Sequence, residues 1–161
     1  MKTIIQKDFY RNFGYWTNSP FLKGFMSPGF RFIYCLRKAQ QYSAKHPLGL
    51  VYRLLLRRYS IKYGYQISAR TEIGSGLNLG HWGTVVVNPK CKIGKNCNIA
   101  HGVTLGQTNR GKSKGFPILK DNARLNSMFR GNFFQISLPV NPASVASAFV
   151  NSLTPLGCPS S

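Results

Sequence analysis

Large aliphatic residues mark positions 67–125 at a spacing of six. They stand at Ile67, Ile73 and Leu79, then at Val87, Ile93, Ile99 and Leu105, and again at Leu119 and Leu125. An amphipathic helix repeats near 3.6 residues and a strand every two, so neither puts an apolar residue at every sixth position. A parallel β-helix does, because each six-residue segment makes one short strand and one corner, and stacked coils share a core. The residue after each of the first seven marks is small or polar (Ser68, Gly74, Gly80, Asn88, Gly94, Ala100, Gly106), which suits a corner. Two residues before successive marks stand Thr71, Leu77, Val85, Cys91, Cys97 and Val103. The inward stack is therefore expected to hold two residues per repeat. Leu79 and Val87 are eight apart, so two extra residues enter around Gly80-His81-Trp82.

The marks sit in longer runs: Ile73-Gly74-Ser75-Gly76-Leu77-Asn78-Leu79-Gly80-His81, Val85-Val86-Val87-Asn88-Pro89, Ile93-Gly94-Lys95-Asn96-Cys97-Asn98-Ile99, and Gly102 through Lys112. Together they resemble the hexapeptide-repeat acyltransferases, and within them the serine acetyltransferases and their relatives in polysaccharide gene clusters. The resemblance covers roughly the middle third of the chain and, weakly, its N-terminal part. It implies a left-handed β-helix, acetyl-CoA as co-substrate, no metal, and a homotrimer with the coenzyme lying along the coils at the subunit interface.

Charge is the compositional outlier. Lys and Arg number 22 against three acids, Asp8, Glu72 and Asp121, a net charge of +19 over 161 residues. That balance favours anionic partners, whether a nucleotide phosphate, a nucleic acid or an acidic lipid surface. The 43% hydrophobic content suffices for a core and excludes a disordered chain. Cys35, Cys91, Cys97 and Cys158 show neither metal nor disulfide-framework spacing, and two of them occupy the small inward position of the repeat. Reduced thiols packed as small hydrophobes are expected, hence a reducing compartment. No apolar run reaches the roughly 18 residues of a spanning helix, and the charged start does not resemble a secretion signal. The expected location is the cytoplasm.

Residues 1–66 read as a separate helical segment. A first helix is expected over 4–13, a second from Phe30 to Tyr42 after the Ser27-Pro28-Gly29 turn, and a third from Pro47 to a stop at Gly64. Leu48, Val51, Leu55 and Tyr59 make the stripe expected to face the core. Twelve of the basic residues precede Ile67 and alternate with aromatics. Aromatics in a helical core with solvated cations are the simpler reading; association with an anionic cytoplasmic membrane surface is the other.

His81 stands in the slip, where the regular coil is interrupted and a side chain is free to point away from the core. Transfer of an acyl group from a thioester to a hydroxyl needs a base, and imidazole, which titrates near neutrality, is the usual one. The resemblance aligns His81 with the catalytic base of the serine acetyltransferases. Those enzymes steer their histidine with an aspartate where this chain has Gln66, and commonly place another just before it, where this chain has Gly80. Gln66 orients a ring by hydrogen bonding alone. His101, in a regular repeat, reads as a lining residue, as does Trp82. His46, at a helix start, reads as a solvated loop residue.

The marks stop between Leu105 and Leu119, where a loop carries Arg110, Lys112 and Lys114 and no acid. Its cations suit the phosphates of coenzyme A, although a solvated basic loop is the plain alternative. The resemblance implies that Gly106, Gln107 and Thr108 lie along the pantetheine arm. Where serine acetyltransferases carry an Arg-His pair that holds the amino acid, this chain has Gly115 and Phe116. An amino-acid carboxylate thereby loses its partner, while an aromatic suits a sugar ring, so a saccharide hydroxyl is favoured over a serine-like acceptor.

The expected organisation is thus mainly β: a helical segment 1–66, a left-handed parallel β-helix over 67–125 carrying the site, and an atypical tail 126–161. Position 131, where the next mark belongs, is Gly131, and the tail holds one charged residue, Arg130. It reads as a divergent cap or, given the abrupt change, as the product of a shifted reading frame near Ala123. The expected function is acetyl-CoA-dependent O-acetyl transfer. The alternatives are a basic binding module on nucleic acid or membrane, although no nucleic-acid motif is present, and an inactive truncated β-helix.

Overall fold

A computed structural model describes residues 2–107, 109, 115–125, 130–131 and 135–136. Four helices precede the strands: α1 (Ile4–Phe13), α2 (Pro20–Gly24), α3 (Pro28–Gln41) and α4 (Pro47–Tyr63). Local chemistry sets their ends. The Thr3 hydroxyl accepts from the Gln6 amide at 3.2 Å while the Gln6 side chain accepts from the Thr3 amide at 2.9 Å, a reciprocal cap on α1. Gly14 and Gly64 close α1 and α4 in the left-handed region, at φ +80° and +76°. Pro28 and Pro47 occupy first-turn positions, where a missing N–H costs nothing. His46 is a cap rather than a free loop residue: its Nδ1 accepts from the Leu48 amide at 3.2 Å.

Helix α4 exposes the stripe expected to be buried. Leu48 and Val51 are 46% and 49% exposed, whereas Gly49, Leu56 and Tyr63 face the core. Leu55 and Tyr59 pack only at the core's edge. Gly49 decides this rotation. Its α-carbon lies so close to the Ser43 carbonyl that any side chain there would collide, and the helix turns its glycine inward. The helix is apolar on nearly every side, so periodicity alone leaves its orientation open.

The strands are short and all parallel. Beginning with β1 (Tyr65–Ile67), β2 (Glu72–Ile73) and β3 (Asn78–Leu79), each coil contributes one strand to each of three faces. The second coil is β4 (Val85–Val87), β5 (Lys92–Ile93) and β6 (Asn98–Ile99); the third is β7 (Thr104–Leu105), β8 (Ile118–Leu119) and β9 (Arg124–Leu125). Marks stack on marks: Ile67 on Val87 on Leu105, Ile73 on Ile93 on Leu119, and Leu79 on Ile99 on Leu125. The smaller companions Thr71, Leu77, Val85, Cys91, Cys97 and Val103 are all buried, so the interior takes two residues per repeat as expected. Each fully buried aliphatic of this kind contributes about 1.5–3 kcal/mol. Two more strands, β10 (Arg130–Gly131) and β11 (Gln135–Ile136), pair with β7 and β8 and continue the coil at Gly131, where the ruler lacks its mark. The rest of the tail 126–161 lies outside the described residues.

The corners explain the small residues. A Cβ on Gly74 would lie 2.6 Å from the Gly94 carbonyl carbon, and one on Gly94 would lie 2.6 Å from the Asp121 amide. Coil-to-coil approach, more than the turn itself, demands glycine there. At a second corner Asn96 (φ +56°) and Asn122 (φ +63°) stack above Gly76 (φ +83°), a left-handed column filled by the residue types that tolerate it.

The helices close the start of the β-helix. Asp8 and Arg37 are buried, and Arg37 Nε donates to Asp8 Oδ2 at 2.8 Å. Asp8 Oδ1 accepts from the amides of Gly76 and Leu77 at 2.6 and 2.9 Å. The Arg37 guanidinium donates to the carbonyls of Ile73 and Gly74 at 2.8 and 2.6 Å. Asn12 and Gln40 reach the carbonyls of Leu77 and Thr71, both at 2.9 Å. Backbone groups that an open sheet edge would leave bare are thus satisfied by side chains.

Burial pushes the thiols of Cys35, Cys91 and Cys97 up, that of Cys35 to about 11. The folded state therefore holds the Cys35 proton more tightly than the unfolded chain. Its share of stability is complete below the unfolded thiol value and is lost as pH climbs through about 11. Two outcomes are expected: a melting temperature that begins to fall above about pH 9, and these three thiols unreactive toward a thiol reagent until the protein unfolds.

Candidate active site

The two-residue slip is pinned on every side. Gly83 donates to the Tyr63 carbonyl and Val85 to the Gly64 carbonyl, each at 3.0 Å, which ties the slip to the end of α4. The buried Tyr65 phenol donates to the His81 carbonyl oxygen at 3.0 Å. Burial raises that phenol to about 12, so it remains a donor at any working pH. Gly102 donates to the Thr84 carbonyl at 2.6 Å from the coil above. Gly83, at φ +138°, leaves no room for a side chain, since a Cβ there would sit 2.9 Å from the His101 Cβ.

These contacts hold the backbone and release the side chains. His81 is exposed and Trp82 is 68% exposed. The ring of His101 approaches that of His81 edge-on, with centroids 6.0 Å apart and planes at 85°. The two imidazoles are neighbours, but His101 is not among the residues that line the cavity beside His81. That cavity, of about 310 Å³, is lined by Gly80, His81 and Trp82 on one wall and by Ser27, Pro28 and Gly29 on the other. Gly29 packs directly against the Leu79 carbonyl, which seats the first turn of α3 on the coil.

Other residues expected at the site lie elsewhere on the chain. Gln66, exposed on β1, lines a second cavity of about 480 Å³ together with Val86, Asn88, Pro89 and Gly106. Gln107 is exposed at the start of the long loop. Phe116 is half-buried against the core, with the Lys90 ammonium 5.2 Å from its ring centroid. Neither Gln66 nor Phe116 lines the His81 cavity. Thr108, Arg110, Lys112 and Lys114 lie outside the described residues. Among the described residues no group of three or more His, Cys, Asp or Glu side chains is placed to hold a metal ion.

Sequence reading did not anticipate the parts played by Tyr65 and by the Ser27-Pro28-Gly29 wall. Tyr65 offered a signal, a large aromatic at an inward position otherwise taken by Thr, Val, Leu or Cys. Ser27 to Gly29 offered none beyond a helix start.

The chemistry available at the slip is proton transfer at an exposed imidazole, held over a half-open cavity with an aromatic face beside it. The chain is 32% identical to the serine acetyltransferase of Synechococcus elongatus over 95 residues, 59% of this chain and 38% of that protein. It is 34% identical to the serine acetyltransferase of Helicobacter pylori over 92 residues, 57% of this chain and 53% of the relative. It therefore matches about half or less of the length of these relatives. No family model matches the chain. Among solved structures, serine acetyltransferase from Brucella abortus in complex with coenzyme A superposes with a TM-score of 0.55 at 27% identity, covering 79% of this chain and 50% of that one. In sequence and in architecture the chain is similar to serine acetyltransferases, and its fold is a left-handed hexapeptide-repeat β-helix closed at its start by helices.

Proposed function

We propose that the chain is an acetyl-CoA-dependent O-acetyltransferase in which His81 is the general base. The observation that carries this reading is the exposed His81 imidazole on a pinned backbone beside the 310 Å³ cavity, in a chain similar to named serine acetyltransferases. An acceptor hydroxyl in the cavity gives its proton to the imidazole as its oxygen attacks the thioester carbonyl. The tetrahedral intermediate collapses, the carbon–sulfur bond breaks, and the leaving thiolate takes the proton back from the imidazolium. The products are an acetyl ester and free coenzyme A.

The coenzyme belongs along the outer face of the coils near Gly106 and Gln107, with Thr108, Arg110, Lys112 and Lys114 as its further proposed ligands. Gln66 and Gly106 line one cavity and His81 another, a division that fits a site completed between copies of a homotrimer. In this reading residues 1–66 brace the β-helix and 67–125 carry the chemistry. An acetyl-CoA-consuming enzyme with reduced thiols belongs in the cytoplasm.

The named relatives favour serine as acceptor. Trp82 favours a second reading, a saccharide hydroxyl of a surface polysaccharide: the indole presents a flat face beside the base, and among the described residues the lining of that cavity holds no Lys or Arg for a carboxylate. Thiol release from acetyl-CoA, measured with L-serine and with oligosaccharide acceptors, tests both. Trp82→Ala is expected to raise KM for an oligosaccharide by about tenfold, the loss of one aromatic contact worth about 1.4 kcal/mol, with little effect on serine. Absence of acceptor-dependent release from folded protein overturns the transferase reading.

A further inference from the structure

The outward face of α4 is apolar where a surface helix is ordinarily polar. Gly49, Leu56 and Tyr63 face inward. On the opposite side Leu50, Val51, Leu54 and Ile61 are 56%, 49%, 59% and 78% exposed. Exposed Arg57, Arg58 and Lys62 are interleaved with them. Leu22 and Met26, at 74% and 83%, add a second exposed apolar group on α2 and the turn after it, beside exposed Lys23. The two helices are tied together behind these groups, on the side where Tyr63 is buried. Arg31 lies over the Phe25 ring at 4.3 Å and donates to the Tyr63 hydroxyl at 2.9 Å, bridging the end of α2 to α4.

Charge selects what covers this face. Between Asp8 and Glu72 the chain has eleven Lys and Arg residues and no acid, and Asp8 itself is buried against Arg37. A second copy seated face to face on α4 would set Arg57, Arg58 and Lys62 against their own counterparts, with no acid on the helix to pair them. A nucleic acid would meet the cations, but the exposed large hydrophobics of α4 are all aliphatic, and the residues a nucleic acid stacks on are aromatic. A bilayer carrying anionic lipid satisfies both features at once. Its headgroups attract the cations, and its acyl boundary takes the leucines and isoleucine. Helix α4, with 17 residues, is about 25 Å long, and no helix among the described residues is long and apolar enough to cross a membrane.

We propose that the outward face of α4 docks on an anionic lipid bilayer, with the helix lying in the plane of the interface. The proposal is independent of the acetyl-transfer reading. Its test is co-sedimentation of the full chain with large unilamellar vesicles of phosphatidylcholine alone, or with about 30% phosphatidylglycerol, at low and high salt. Binding to the anionic vesicles only, weakened by salt, is expected. Arg57→Gln with Arg58→Gln should lower partitioning about 30-fold, each near-surface cation being worth about a factor of five. Leu54→Ser with Ile61→Ser should lower it at least about tenfold, with far-UV circular dichroism and melting temperature unchanged in both variants. Three results overturn the proposal: equal or absent binding to the two vesicle types, vesicle binding indifferent to Leu54→Ser with Ile61→Ser, or self-association that the same pair abolishes.

Discussion

His81→Ala is expected to slow acceptor-dependent thiol release from acetyl-CoA by about 10²- to 10⁴-fold, the range for loss of a positioned general base, and to leave the melting temperature nearly unchanged. The asymmetry follows from how the residue is held. Tyr65 binds the His81 backbone carbonyl, which alanine keeps, while the imidazole itself is exposed and contributes little packing. His101 is the internal control. Its ring stands 6.0 Å from that of His81 without lining the same cavity. His101→Ala should cost far less than His81→Ala if it neighbours the base without taking the proton. Equal losses in the two single variants would mean that the imidazoles share the proton, and an unimpaired His81→Ala enzyme would remove His81 from the mechanism.

Asp8→Ala is expected to show the opposite pattern, a large loss of stability in a residue remote from the slip. The change strips Arg37 of its buried partner and leaves the amides of Gly76 and Leu77 without an acceptor. Removing one member of a buried pair costs about 3–5 kcal/mol, because the other charge stays buried and uncompensated. Against a total of about 5–15 kcal/mol, that is a large fraction of the stability and a clear fall in the denaturation midpoint. Chemical denaturation of wild type, Asp8→Ala and Asp8→Leu with Arg37→Met separates the contributions. The double variant should recover part of the loss by removing the stranded charge, but only part, because the coil's backbone groups remain unsatisfied. A single variant as stable as wild type would mean that the helices do not depend on this contact to close the coil.

The β-helix was legible because its cause is local and repeated. One aliphatic every six residues with a small neighbour admits few other packings, and Ile67, Val87 and Leu105 stack as that spacing requires. Helix ends were legible for a similar reason: Pro28, Pro47 and Gly64 act on their own or adjacent backbone. The face of α4 was not, since Leu48 and Val51 are as apolar as Leu56 and only the Gly49–Ser43 contact ranks them. Nor was α2, a five-residue turn of helix that has too few hydrogen bonds to announce itself.

Sequence alone determined the repeat, its interior of two residues per repeat and the place where the coil slips at Gly80-His81-Trp82, because each depends on spacing along the chain. Only the tertiary structure decided that Asp8 and Arg37 close the first coil, that His101 faces His81, and that Gln66 lies in a different cavity from the base it was expected to steer. Those are contacts between residues about 20 or more apart in sequence, set by how coils and helices stack, and no periodicity in one dimension encodes which side chains then meet.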